Sequence, residues 1–525
     1  MRSSDTGNWD VIVVGGGHNG LAAAALLAKS GRRVCVLEAD DEVGGGARAR
    51  QLAPKFRTSS LAHVLNRLDA ELIRTLDLES HGLELGGAPM PTVALGKGDP
   101  LILHGAYGKT VTGLGEAEGR AWTELRRRLM LQAGVLKPFL ARRPPQLDTL
   151  TLGEKGVLGG AALSLKRLGK DEMRAFLRMV LMNVADVADE CLDDDRLKGL
   201  LAFDATLGSH LGPRSPTSLL GLYYRLAGEI EAKPGAQTVP KGGMGAVVAS
   251  LASAAERAGA TLRTKAGVGR ILVEAGRAVG VVLEGGETLR ALTIVSAMNP
   301  RTTMLDLVGA RALDIGLVRK LTHIRMKGDV AKLDLALDRP PTFTGVDEDA
   351  LSGRLVIARS SDDVERAFNP AKYGEFSREP VMEIVLPSLH DPSLAPDGAC
   401  VLSAVVQYAP YDLKEGWETG KPKFLEAVLG RLEAHAPGLR ESILRSELLT
   451  PADIEARYRM PGGHWHHGEL QADQMLFSRP VSGMSGYDTP IDGLYLAGAG
   501  SHPGGGISGR PAMNAVRHIL AAEKR

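Results

Sequence analysis

The hydrophobic pattern opens with Val11-Ile12-Val13-Val14, an uninterrupted β-branched run that leads into three glycines and then a small apolar stretch, residues 21–29 (LAAAALLAK). Such a run predicts a parallel strand covered on both faces, and the alanine-rich stretch predicts a helix packed behind it. A second run, Val34-Cys35-Val36-Leu37, predicts another buried strand ending at Glu38. Farther on, residues 246–258 read as a helix, and residues 261–263, 268–274 and 278–284 as short strands between turn residues. Residues 292–297 predict one more buried strand. Residues 493–500 predict a strand ending in glycines, before an Ala/Val/Ile helix that runs toward the C-terminus.

Between these blocks the pattern is richer in helix, over roughly residues 86–234 and 311–450, with Pro-rich breaks at residues 142–145 and 339–341. Residues 173–192 carry Phe176, Val180, Leu181 and Val184 at helical spacing. That stripe reads as core, with a wall for a hydrophobic substrate or a membrane-docking face as alternatives. The interleaving predicts an α/β chain with a discontinuous nucleotide-binding domain, from residues 1–85, 235–310 and 455–525. A mixed α+β substrate domain would come from residues 86–234 and 311–454 and supply an apolar tunnel.

Composition narrows the class. With 525 residues, 44% hydrophobic and 24% charged, the chain is globular and too long for one core. A net charge of +1 and only 4% aromatic residues argue against nucleic acid as a partner. Cys35, Cys191 and Cys400 form no C-x-x-C pair, which fits a reducing, cytoplasmic setting and no dithiol centre. The N-terminal residues, with Asp5 and Asp10, resemble neither a signal peptide nor a transit peptide. No apolar run approaches the ~20 residues that span a bilayer, so membrane contact would be peripheral. Homo-oligomerisation stays open.

The chemistry is concentrated in the turns. In Gly15-Gly16-Gly17-His18-Asn19-Gly20, Gly15 permits the tight turn, Gly17 a close approach to a pyrophosphate, and Gly20 close packing of the next helix. That helix aims its N-terminal amides at phosphate, and Glu38, about twenty residues on, can accept from both hydroxyls of an adenosine ribose. Six positions after Glu38 a second glycine run, Gly44-Gly45-Gly46, suits FAD, whose extended body continues past the first helix. Near the C-terminus, Gly500, His502, Gly505, Gly506 and Ile507 make another glycine-lined helix start, suited to the edge of a flavin where reduction deposits negative charge. Residues 461–469 hold His464, His466, His467 and Glu469, whose spacing fits no standard zinc pattern, so no metal is expected.

Taken together, DVIVVGGGHNGLAAAALLAKSG, VPKGGMGAVVASLASAAERAGA and GLYLAGAGSHPGGGISG resemble the phytoene desaturase-like branch of the FAD-dependent amine oxidase and desaturase superfamily. Residues 54–60 through 81–83 are similar to a sub-branch that includes animal pyridine nucleotide-disulfide oxidoreductase domain-containing proteins and bacterial relatives. The resemblance implies a glutathione-reductase-type, Rossmann-like FAD-binding domain. It implies that Gly15, Gly17, His18, Asn19 and Gly20 face the pyrophosphate and Glu38 the ribose. Gly44, Gly45 and Arg48 would then lie toward the flavin, the backbone of Val268 would meet adenine, and Gly500, Gly505, Gly506 and Ile507 would border the flavin and phosphate end. His467 matches a histidine of a flavin-facing loop and is the candidate proton acceptor, with a hydrogen-bonded loop residue as the alternative. Gly46 stands where carotenoid desaturases carry a basic residue, a departure that bears on the substrate and not on the flavin. Paired cysteines and a separate NAD(P)H domain, which disulfide reduction needs, are missing from the sequence.

The expected function is an FAD-dependent oxidoreductase that dehydrogenates or isomerises a small apolar, polyene-like organic substrate. A diffusible acceptor, oxygen or a quinone, would take the electrons. Three rivals remain: a flavin amine oxidase with Trp465, Tyr408 and Tyr411 as its aromatic cage, a flavoprotein acting through partner binding, and an NAD dehydrogenase.

Overall fold

The computed structural model describes residues 9–96, 98–145, 150 and 152–523; residues 1–8, Asp5 among them, lie outside the described residues. Two large sheets organise the chain. In the first, Trp9–Val14 lies parallel between Val34–Leu37 and Thr288–Ser296, with Val11 opposite both Val34 and Thr293. Thr261–Arg263 extends one edge, and Leu494–Leu496 pairs in parallel with the C-terminal end of Thr288–Ser296. The N-terminal end of that strand turns antiparallel into Arg277–Leu283 and then Val268–Glu274. Each strand predicted for this sheet is present, and the architecture is the α/β, Rossmann-like one.

Packing explains the alanine-rich pattern. Helix His18–Lys29 sits against Gly243–Arg257 and Arg510–Ala522. Ala22, Ala23, Ala24 and Ala25 are fully buried in the core that these helices share with Val11, Val13, Val34 and Val36. Side chains this small let the first helix lie close to sheet and neighbours, which places its N-terminus directly over the glycine turn.

The second sheet has eight strands, in the order Ile443–Leu449, Val330–Leu337, Cys400–Gln407, Val381–Val385, Arg354–Ile357, Thr92–Leu95, Leu101–His104 and Thr110–Thr112. Its central strands correct the helix-rich reading of residues 311–450. Val330–Leu337 and Cys400–Gln407 are buried at every position, so they lack the period-two alternation that marks a half-exposed strand. A short all-apolar run does not separate strand from helix.

The stripe at residues 173–192 is also corrected. It breaks into Lys170–Met179 and Val184–Cys191, the second helix capped by the Asn183 side chain, which accepts from the Asp186 amide. Phe176 and Val184 are buried while Leu181 is 68% exposed, so no single face survives the break. Residues 156–160, which have glycines but no preceding strand, lie within helix Leu152–Arg167. Among the described residues no helix is long and apolar enough to cross a membrane.

Candidate cofactor and substrate cavity

A cavity of about 640 Å³ is lined by residues from both sheets and from the loops around them. Its first wall is the glycine turn. Gly15 takes φ +96°, and a Cβ on Gly20 would lie 1.9 Å from the Gly15 carbonyl oxygen, so the helix closes on the strand only with glycine there. Gly17 differs: a Cβ there would meet no protein atom within 4 Å, and the residue faces the cavity. Packing within the protein does not demand a glycine there. The helix above has no side-chain cap and no acidic residue in its first turn, leaving its amide donors open to an anion.

Glu38 and His18 fix this wall from both sides. The Glu38 carboxylate accepts from the Gly16 amide at 2.8 Å and the Asp40 amide at 3.0 Å, and still lines the cavity. His18 Nε2 donates to the Gly506 carbonyl at 3.1 Å, joining the first helix to the C-terminal turn. Burial pushes its pKa down to about 4, so the ring is neutral.

Of the other sequence-predicted positions, Asn19, Gly44, Gly45 and Val268 line the cavity, as do Gly505, Gly506 and Ile507. A Cβ on Gly505 would lie 2.1 Å from His466 Nδ1, which sets the close approach of these two loops. Two of the expected residues are not among those that line the cavity. Arg48 does not line the cavity, because Asp40 and Asp41 hold its guanidinium at 3.0 and 4.0 Å. Gly500 is also outside the lining, pressed against Pro300 and His467.

The histidine loop faces the same space through Trp465, His466 and His467. His467 takes φ +56° and its Nδ1 has no partner. Burial, then Arg479 and His464, push its pKa down to about 3. A ring so reluctant to hold a second proton is a poor base at neutral pH. His467 therefore lines the cavity as a neutral ring. His464 is turned away, with Nε2 3.5 Å from Glu469. Of the aromatic trio only Trp465 lines the cavity. The Tyr408 hydroxyl is held between Thr206 Oγ1 and the Leu211 carbonyl, and Tyr411 donates to Glu455.

Sequence reasoning missed the opposite wall. His63, Arg67, Asp204, Arg225 and Glu383 line the cavity there, a charged cluster within an otherwise largely apolar lining. Arg354, fully buried behind it, donates to Glu383 and to Asp204 at 2.5 Å each. Burial pushes the Glu383 carboxyl up, but Arg354, His63 and Arg225 more than reverse this and hold it well below the usual carboxylate range. His63 Nε2 lies 3.0 Å from Glu383, and burial, with Lys332 beside it, keeps the ring neutral. These residues come from five separate stretches of chain, and no local spacing marks them.

A family model for flavin-containing amine oxidoreductases matches residues 20–509. The chain belongs to that family. The rat pyridine nucleotide-disulfide oxidoreductase domain-containing protein 2 is 32% identical over 98% of this chain and 93% of its own length. A limonene dehydrogenase component from Castellaniella defragrans is 26% identical over 98% and 95%. The neurosporene-forming phytoene desaturase of Cereibacter sphaeroides is 30% identical over 60% and 58%, and the phytoene desaturase-like relationship holds. Among solved structures, cyclohexylamine oxidase from Brevibacterium oxydans superposes with a TM-score of 0.61 at 18% identity, covering 99% and 100%. The cofactor of this family member is FAD, and the protein is an FAD-dependent oxidoreductase. The cavity fits that group: an open Gly17 cradle, an uncapped helix N-terminus and a lining carboxylate at Glu38 lie along one wall.

Proposed function

We propose that this oxidoreductase dehydrogenates or isomerises a carbon skeleton, removing hydrogen from C–H bonds next to other carbons. The observation that carries the reading is the shape of the cavity lining. Leu61, Leu207, Val405, Leu470 and Trp465 are among the residues that line the cavity, and Tyr408 and Tyr411, the tyrosines expected of an amine cage, are not. The names limonene dehydrogenase and phytoene desaturase, carried by relatives, support the same class of reaction.

In this reading Gly15, Gly17 and the amides of His18, Asn19 and Gly20 hold the pyrophosphate. Glu38 holds the ribose, and Val268 flanks the adenine. Gly44, Gly45, Gly505, Gly506 and Ile507 flank the rest of the cofactor. Bound there, FAD supplies a two-electron acceptor. The apolar side chains align the substrate and exclude water, which is where the protein lowers the barrier. His466 and His467, both neutral, keep further positive charge away from the reacting carbon. A diffusible acceptor, oxygen or a quinone, completes the cycle.

The test is anaerobic mixing of the yellow protein with terpenes, polyenes and alkyl amines, followed by product analysis. Flavin bleaching by an unsaturated hydrocarbon, with a new or shifted double bond in the product, supports the reading. Bleaching by amines alone, with release of a carbonyl product, overturns it.

A further inference from the structure

The charged wall says more about the substrate. We propose that the molecule taken by this cavity is an acid, an apolar body bearing a carboxylate that is received by Arg225, with Arg67 as the second cation. This deepens the reading above and rests on it for the identity of the site.

Arg225 and Arg67 both line the cavity, and each is only 9% exposed. The Nε and Nη2 atoms of Arg225 are buried without a hydrogen-bond partner among the described residues. Asp204 Oδ1 lies 3.6 Å from that Nε and is already engaged by Arg354 at 2.5 Å. No hydrogen bond holds this edge of the guanidinium, and the Arg225 side chain borders the cavity. Nε and Nη2 together form the edge that matches the two oxygens of a carboxylate. Arg67 donates to the Tyr224 carbonyl and stacks 3.9 Å from the Tyr224 ring centroid, and no carboxylate pairs with it among the described residues.

Charge points the same way. Arg67, Arg225 and Arg354 are three cations against the two carboxylates Asp204 and Glu383, with His63 neutral. Within this cluster the cations outnumber the carboxylates by one, while the cavity lining as a whole also holds Glu38, Asp40, Glu284, Asp306, Glu455 and Arg459. A buried cation without a counter-ion is costly, and an incoming carboxylate removes that cost while satisfying orphaned N–H groups. A neutral hydrocarbon would leave those donors unmade, and an ammonium group would add to the surplus.

The experiment titrates FAD-loaded protein with octanoate, 1-octanol and octylamine, and with dodecanoate and 1-dodecanol, following perturbation of the flavin spectrum. The expected result is carboxylate binding at least about ten-fold tighter than the alcohol of equal length, in line with a charge-assisted bond. Arg225→Gln should lower carboxylate affinity to the level of the alcohol with FAD content unchanged. Equal binding of acid and alcohol by the wild type, or a preference for the amine, overturns the proposal whether or not any variant folds. Carboxylate preference without bleaching by any C–H donor would instead sink the dehydrogenation reading and leave this one standing.

Discussion

The Gly16 amide donates to the Glu38 carboxylate at 2.8 Å, tying the turn after the first strand to the end of the second. The pair couples local structure to binding, since the same carboxylate lines the cavity. Replacing Glu38 with Ala removes the acceptor for Gly16 and the proposed acceptor for the ribose together. Each hydrogen bond to a charged group contributes about 1.5–3 kcal/mol. Glu38→Ala should therefore bind FAD at least about ten-fold more weakly, read as flavin per protein after dialysis. Full flavin content in that variant would refute the role.

Gly17 and Gly20 separate binding from folding. Gly20→Ala drives a Cβ to 1.9 Å from the Gly15 carbonyl and should cost the apoprotein about 1–3 kcal/mol or more in denaturant unfolding. Gly17→Ala meets no protein atom, so the apoprotein should unfold at nearly the wild-type midpoint while FAD retention falls. Equal effects on stability from the two substitutions would contradict this division.

The contrast also shows what the sequence made legible. Gly15, Gly17, Gly20 and Glu38 sit at fixed spacing because one βαβ unit builds that wall, and the first sheet follows from buried runs such as Val11–Val14. Arg225, Asp204, Glu383 and Arg354 could not be read that way, since helices and strands far apart in the chain bring them together. Val330–Leu337 hid its identity as a strand because both its faces are buried, with Lys332 and Asp334 neutralising each other inside. Arg48 pairs with Asp40 and Asp41, close in sequence to Glu38, a contact that the glycine run does not reveal.

Arg354 neutralises two buried carboxylates at once. Arg354→Met would leave Asp204 and Glu383 without that cation, a loss of about 3–5 kcal/mol by analogy with broken buried ion pairs. The check is urea unfolding at neutral pH, where a change within about 1 kcal/mol would show that the network is dispensable.

Buried histidines make the fold acid-sensitive. His18 and His502 are pushed down to about 4 by burial, and His467 to about 3. Between these values and an unfolded pKa near 6.5 the unfolded chain binds more protons, so stability falls as pH falls through that window. Asp329, pushed up by burial to about 6, and His210, raised by its bond to Asp329, act in the opposite sense and offset part of it. His502→Gln should flatten the decline between pH 6 and pH 5 by up to about 1.4 kcal/mol per pH unit. An unchanged slope would mean that His502 does not titrate on unfolding.

The most direct test of a single cavity shared by cofactor and substrate is a crystal structure of the FAD-loaded protein. Adenosine density between Glu38 and Val268, with the isoalloxazine between the Gly505–Ile507 turn and Trp465, is the expected result. An isoalloxazine directed away from Trp465 and Arg225, into solvent or another pocket, would contradict it.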